Sequence, residues 1–212
     1  MHWLDPDYLP KTTGTLDRFV LNPKADIDGL LLTDGTEIHT PPHLSSKLLA
    51  ALAPGGKLTV HGVKTRHGDV IVAVAIDPAQ RERIVDTGPG HMHDKYEKSP
   101  HPAEKHGKSA LHQGAIKRLL HGPKGHSHGV LLDDGVVVRF PPHAANSFAD
   151  LLVIDALLSV HGVSCTTEHG TVIDAEAMGM KPSTLIEVAK RPEHASKKPK
   201  KGPPTGEHGH HH

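Results

Sequence analysis

The chain has 212 residues, with 24 Lys and Arg against 24 Asp and Glu, so its formal net charge at neutral pH is zero. The single cysteine, Cys165, excludes an internal disulfide. The N-terminal stretch has no basic start followed by an apolar run, and the longest apolar stretch, Val70 to Ile76, is far too short to cross a bilayer. We therefore expect a soluble, cytoplasmic protein that does not contact a membrane.

An N-terminal extension, residues 1–13, precedes a series of predicted strands. The stretch from Gly14 to Asn22 is mostly apolar and is followed by proline. The next apolar run, "GLLL", reaches Asp34-Gly35 and continues as "EIHT". Asp-Gly between two apolar runs predicts a hairpin, because glycine tolerates the positive φ that a two-residue turn requires. Pro41-Pro42 then ends the third strand, since proline cannot donate to a strand ladder.

The stretch "HLSSKLLAALA" changes from strand to helix periodicity. Leu44, Leu48 and Leu52 fall four apart, which predicts a short helix over 44–53 that ends before Gly55-Gly56. Two further strands follow, "KLTVHGV" and "VIVAVAI", joined around His67-Gly68. The predicted order is strand, strand, strand, helix, strand, strand.

Residues 78–113 are rich in Pro, Gly, His, Lys and Glu and have little apolar periodicity. Only "RERIVD", which follows the fifth strand closely, has the composition to extend the preceding fold briefly. We expect the remainder to be a flexible linker.

The second half of the chain repeats the first. From Gly14 to Val63 every residue aligns without a gap with the residue 100 positions later, and 18 of these 50 pairs are identical. "LLLTDGTEIHTPPH" at 30–43 returns as "VLLDDGVVVRFPPH" at 130–143, and the equivalent helix is predicted over 144–154. This is an internal duplication, which predicts two domains, residues 14–77 and 114–178.

The order and length of these elements resemble the OB-fold, a five-stranded, partly open barrel with a helix between its third and fourth strands. The resemblance covers both repeats and names no specific family within the fold. It implies an all-β protein with short helices, built as two tandem OB-like barrels. An SH3-like barrel is the alternative, but it does not ordinarily place a multi-turn helix at that point.

The charges are distributed unevenly along the chain. The two repeats carry net charges of −1 (six Lys and Arg, seven Asp and Glu) and −3 (four and seven). The tail, residues 179–212, carries +4 (seven and three) and ends in a histidine-rich stretch. We expect this tail to be disordered from about Lys190.

Two sets of repeated residues are candidate binding residues. The cations kept in both copies lie on the first strand and the loop after it, where an OB-fold commonly meets its ligand, and are Arg18, Lys24, Arg118 and Lys124. The histidines kept in both copies of the ungapped match are candidate metal ligands or anion donors, and are His43, His61, His143 and His161. The alternative for all eight is structural: solvated surface charges, a helix cap at His43 and a strand residue beside a bulge at His61.

No motif in the chain indicates catalysis. It contains no His-Glu-x-x-His sequence, no paired Cys-x-x-Cys and no nucleophile elbow, so we do not expect an enzyme. No cofactor is implied, except Zn, Ni or Cu if the histidines bind a metal. The sequence therefore favours a non-enzymatic binding protein, with single-stranded DNA or RNA as the first ligand by analogy with the fold. Histidine-mediated binding of a transition metal and a role as a protein-interaction adaptor are the alternatives.

Overall fold

The computed structural model describes residues 5–88 and 107–189. These ranges form two barrels. The first contains β1 (Lys11–Leu21), β2 (Ile27–Leu32), β3 (Glu37–His39), α1 (Ser45–Ala51), β4 (Lys57–Lys64), β5 (Val70–Pro78) and β6 (Ile84–Val85). The second contains β7 (Lys108–His121), β8 (Ser127–Leu132), β9 (Val137–Arg139), α2 (Ala144–Ser147), β10 (Leu157–Thr167), β11 (Gly170–Gly179) and β12 (Ile186–Glu187).

Both barrels have the same topology. In the first, the strands pair in the order β3-β2-β1-β4-β5, and a parallel pairing of β3 with β5 closes the sheet on itself. The second repeats this order with β9-β8-β7-β10-β11 and closes through a parallel pairing of β9 with β11. The predicted element order is confirmed, and the chain contains two OB-fold barrels in tandem.

The first strand of each barrel is long enough to pair with two other strands. The N-terminal part of β1 pairs with β4, from Lys11 opposite His61 to Thr15 opposite Lys57. Its C-terminal part pairs with β2, with register shifts that bend the strand from one side of the barrel to the other. Strand β7 divides in the same way between β10 and β8. As a result, the barrels begin at Lys11 and Lys108, several residues before the limits predicted from the repeat.

The two helices differ in length. Helix α1 buries Leu48 completely, as the spacing of its leucines predicts. Helix α2 is a single turn that ends at Ser147, far short of the predicted end at residue 154. Asn146 and Ser147 hydrogen-bond readily with nearby backbone groups, which weakens a helix interior. The chain then continues as turns while Phe148 still reaches the core.

A short strand outside the predicted limits is added beside the fifth strand of each barrel. Strand β6 lies in "RERIVD" and pairs with β5, and β12 pairs with β11. Most of the predicted linker, residues 89–106, and the tail from 190 lie outside the described residues. Within the described part of the chain, no helix has the length and apolar composition needed to cross a membrane.

Candidate nucleic-acid interface

The ligand face of an OB-fold comprises its second and third strands together with the loops between strands one and two and strands four and five. In this protein the strand faces of the two barrels pack against each other. All six residues of β2 and all three of β9 are buried, although strands on the surface of a barrel ordinarily expose alternate residues. The two ligand faces therefore cover one another.

Apolar side chains make up much of this contact. Along β8 and β9, Val130, Leu132 and Val138 point into the core of the second barrel. The alternating residues Leu131 and Val137 belong instead to the core cluster of the first barrel. Leu120 and Val172, from β7 and β11, join the same cluster. The outer face of the second barrel thus extends the core of the first.

Buried polar pairs cross the same interface. Asp28 of β2 and Arg139 of β9 form an ion pair between their side chains, which are 10% and 6% exposed. Glu37 of β3 accepts a hydrogen bond from the backbone N–H of His121 at 2.6 Å, and its second carboxylate oxygen lies 2.9 Å from Nδ1 of the same residue. Charges that are buried this completely require such partners. The pairs therefore fix the orientation of one barrel against the other.

Two histidines lie close to the Asp28–Arg139 pair. Burial, reinforced by the positive charge of Arg139, lowers the pKa of His128 to about 3. The same two causes lower the pKa of His39. Both imidazoles are therefore neutral at neutral pH. The positive charge of Arg139 is balanced by the carboxylate of Asp28 and, at longer range, by that of Glu37.

The repeated arginines lie at this interface. Arg118 donates a hydrogen bond from Nη1 to the carbonyl oxygen of Gly35 at 3.0 Å, in the Asp-Gly turn of the other barrel. Arg18 lies beside the equivalent turn, where a Cβ on Gly135 would be 3.5 Å from its Nη1, and it also pairs with Asp17 at 2.8 Å. Arg118 therefore ties the second barrel to the hairpin turn of the first, and Arg18 lies beside the equivalent turn of the second.

The repeated lysines are placed differently. Lys24 and Lys124 are exposed in the loops β1–β2 and β7–β8. Asn22 shapes the first loop by accepting backbone hydrogen bonds from Lys24 and Asp26 at 2.9 and 3.0 Å. These lysines remain open to solvent at the rim of the covered faces.

One pair of ligand loops meets across the interface. The β4–β5 loop of the first barrel approaches the β7–β8 loop of the second so closely that a Cβ on Gly68 would lie 2.6 Å from the carbonyl oxygen of Gly125. The exposed imidazoles of His67 and His126 lie nearly parallel there, 19° apart with ring centroids 6.4 Å from each other. Arg66 is exposed in the same β4–β5 loop.

Arg66, His67 and His126 were not predicted as binding residues from the sequence, because the candidates were the residues identical in both copies of the ungapped match between residues 14–63 and 114–163. Arg66 and His67 lie outside that match, and His126 replaces Asp26 within it. The available signal was their position: they fall in the loops that an OB-fold uses for ligands.

The repeated histidines occupy four separate environments. His43 lies 2.9 Å from Asp86, and His143 lies 2.8 Å from the carbonyl oxygen of Ala189. His61 is 1% exposed and lies between Asp77, at 2.7 Å, and the carbonyl oxygen of Pro6, at 3.0 Å. Among residues 5–88 and 107–189, no group of three or more His, Cys, Asp or Glu is arranged to hold a metal ion.

The fourth histidine, His161, belongs to an arrangement with the order of a catalytic triad. Its Nε2 is 3.0 Å from the hydroxyl of Ser109, and its Nδ1 is 3.7 Å from a carboxylate oxygen of Glu176. The second distance is too long for a hydrogen bond that would orient the ring. All three side chains lie on the exposed surface of the sheet, where water would weaken any stabilisation of a charged intermediate.

Comparison with known proteins adds no named family. No protein-family model and no curated protein sequence matches this chain. Among solved structures, a deletion mutant of the single-stranded DNA binding protein from Thermus aquaticus is 15% identical, over 86% of this chain and 96% of that chain, with a TM-score of 0.24. The wild-type form of that protein is 16% identical, over 87% and 94%, with a TM-score of 0.22. Because these scores are low, the assignment to the OB-fold rests on the strand order and pairing.

Proposed function

We propose that this chain is a non-enzymatic binding protein for single-stranded nucleic acid, and that the exposed ligand loops contact the strand. The observation that supports this most is the position of Lys24, Arg66 and Lys124, which are exposed in OB ligand loops although the strand faces beside them are covered. Phosphates need only accessible cations, so a covered strand face does not prevent such contacts.

The few aromatic residues favour a mode of binding dominated by phosphates. The chain has three Phe, two Tyr and one Trp, and Phe19, Phe140 and Phe148 are at most 5% exposed. Proteins that stack bases on a strand face need exposed aromatic side chains there. Without them, affinity comes mainly from cation–phosphate contacts and falls steeply as the salt concentration rises.

Histidine adds a dependence on pH. The chain has 21 histidines, and an exposed imidazole gains a positive charge as the pH falls through its ordinary range. The repeats are slightly acidic above that range, so a polyanion is attracted weakly there. We expect affinity for single-stranded DNA or RNA to rise strongly from pH about 7.5 to about 6.

A titration of a fluorescently labelled oligo-dT with the full chain at both pH values tests the proposal. Binding should weaken by several orders of magnitude between about 50 mM and about 200 mM salt if many phosphates are contacted. Replacing Lys24, Arg66 and Lys124 together by Gln should remove most of it, whereas Lys47→Gln, an exposed lysine on α1, is the matched control.

The basic tail requires a control of its own. A variant in which Lys197, Lys198, Lys200 and Lys201 are replaced by Gln separates loop binding from tail binding. If this variant loses all affinity while the loop variant keeps it, the loops are not the site. If the wild-type chain binds at neither pH, nucleic acid is excluded and the protein-interaction adaptor becomes the leading function.

A further inference from the structure

The duplication by itself implies two equivalent binding edges, because each barrel supplies one loop to each edge. One edge combines residues 64–69 of the first barrel with 122–126 of the second, and we name it the basic edge. The other combines residues 22–26 of the first barrel with 166–171 of the second, and we name it the acidic edge. The two edges consist of equivalent loops of the repeat but differ in three respects.

The first difference is how closely the loops approach. At the basic edge a Cβ on Gly125 would lie 1.8 Å from the carbonyl oxygen of His67, so only glycine fits. The equivalent residue at the acidic edge is Ala25, which has a Cβ at a similar φ of 63°. After a two-residue insertion in the second copy, His67-Gly68 aligns with His169-Gly170. Gly170, the equivalent of Gly68, has no atom within 4 Å of an added Cβ. The loop backbones therefore approach each other closely at the basic edge, whereas the space beside Gly170 is open.

The second difference is charge. The basic edge contains three cations, Lys64, Arg66 and Lys124, and one carboxylate, Asp69, for a balance of +2. Asp69 pairs with Lys64 at 3.0 Å, so the exposed Arg66 and Lys124 account for the excess positive charge.

The acidic edge contains one cation and two carboxylates. They are Lys24, Asp26 and Glu168, for a balance of −1. A phosphate chain is attracted to the first edge and repelled by the second.

The third difference concerns aromatic rings. At the basic edge the nearly parallel imidazoles of His67 and His126 are exposed. At the acidic edge the ring of His169 packs edge-on against Phe19 of the other barrel, with centroids 5.5 Å apart. Histidine rings can stack on unpaired bases, and only the basic edge presents them to solvent in this way.

We infer that each chain has one binding site for a single strand, formed by both barrels together at the basic edge, rather than one site on each barrel. This inference rests on the proposed function. It assigns Arg66, Lys124, His67 and His126 to the site and leaves Lys24 outside it. Lys24 and Lys124, which are equivalent in the repeat, therefore have different roles.

The equivalent lysines provide a matched test. Lys124→Gln and Lys24→Gln are measured separately against oligo-dT of about 10 nucleotides, within the length that one OB-fold covers. Both are made in the full chain with the four tail lysines replaced, so that tail binding does not obscure the result. Lys124→Gln and Arg66→Gln should each weaken binding about 3- to 10-fold and reduce the salt dependence by about one phosphate contact. Lys24→Gln should change affinity less than about twofold, and calorimetry should give one oligonucleotide per chain.

The two proposals fail in different ways. If the parent protein does not bind the oligonucleotide, the proposed function fails. If it binds two oligonucleotides per chain, or if Lys24→Gln weakens binding as much as Lys124→Gln, the single-site inference is wrong and the proposed function stands. Because all three side chains are exposed, an unchanged unfolding midpoint establishes that each variant is folded.

Discussion

Asp28 of the first barrel and Arg139 of the second form a buried ion pair across the interface between the barrels. They occupy different positions of the repeat, because the residues equivalent to them are His128 and His39. In a chain with identical halves packed symmetrically, the same contact would occur twice. Here one contact joins opposite charges and the equivalent positions hold two neutral histidines, so the two halves differ at equivalent positions of their interface.

Removing one partner of this pair should destabilise the fold strongly. Asp28→Asn leaves the Arg139 guanidinium buried without its nearest counter-charge, which costs about 3–5 kcal/mol. Urea unfolding monitored by circular dichroism measures the loss. Asp17→Asn, which breaks the exposed pair of Asp17 with Arg18, should cost less than about 1 kcal/mol. Equal losses for the two variants would contradict the importance of the buried pair.

The neighbouring histidines predict how stability changes with pH. Because the pKa of His128 is lowered to about 3 in the folded protein, only the unfolded chain takes up its proton as the pH falls below about 6.5. Stability should therefore fall as the pH decreases from about 6.5 towards 3, by on the order of 2 kcal/mol at pH 5 from this residue. The lowered pKa of His39 acts in the same direction.

The contribution of His128 can be isolated by His128→Gln. The raised pKa of Asp28, caused mainly by burial, has the opposite sign, because the folded protein takes up that proton at higher pH than the unfolded chain. Comparing the variant with the wild type subtracts this effect. Urea unfolding at several pH values from 7 to 5 should give a shallower loss of stability for the variant, and identical slopes would refute the assignment.

Because the ligand loops are in contact, replacing Gly125 by alanine should destabilise the fold more than replacing a glycine in an open turn. Gly125→Ala adds a Cβ that would lie 1.8 Å from the carbonyl oxygen of His67, in addition to the cost of a residue with φ of +80°. Gly55→Ala is the matched control, because Gly55 has φ of +89° and no atom within 4 Å of an added Cβ. The control should lose about 1–2 kcal/mol from backbone strain alone, and Gly125→Ala should lose clearly more. Thermal unfolding of both variants checks this, and a smaller loss for Gly125→Ala would show that the loops are not in contact.

Metal binding by the terminal histidines remains a prediction from the sequence. Residues 206–212 lie outside the described part of the chain, and they include His208, His210, His211 and His212. If histidines elsewhere in the chain also bind ions, deleting this stretch should lower the stoichiometry for Ni²⁺, Cu²⁺ or Zn²⁺ without abolishing binding. Isothermal calorimetry measures it. No heat from the deleted protein would restrict metal binding to the terminus.

The order of strands and the presence of two barrels follow from the sequence alone, because their signals are local. Asp34-Gly35 and Asp134-Gly135 specify hairpins through backbone conformation, and Pro41-Pro42 ends a strand through a missing donor. Because the two halves align at an offset of 100 residues, the elements predicted for the first half are also predicted for the second. The exposed ligand-loop lysines, Lys24 and Lys124, were also identified in this way.

The packing of the barrels could not be predicted in the same way. The consecutive apolar residues 30–32 and 130–132 are typical of strands buried on both faces, but a local pattern cannot say what covers the second face. Asp28 and Arg139 are 111 residues apart, and nothing in the neighbourhood of either one indicates the other. Only the tertiary structure brings Arg66 and His67 together with Lys124 and His126, because these loops belong to different barrels. The repeat makes Lys24 and Lys124 equivalent in sequence, and the packing of one barrel on the other gives them different surroundings.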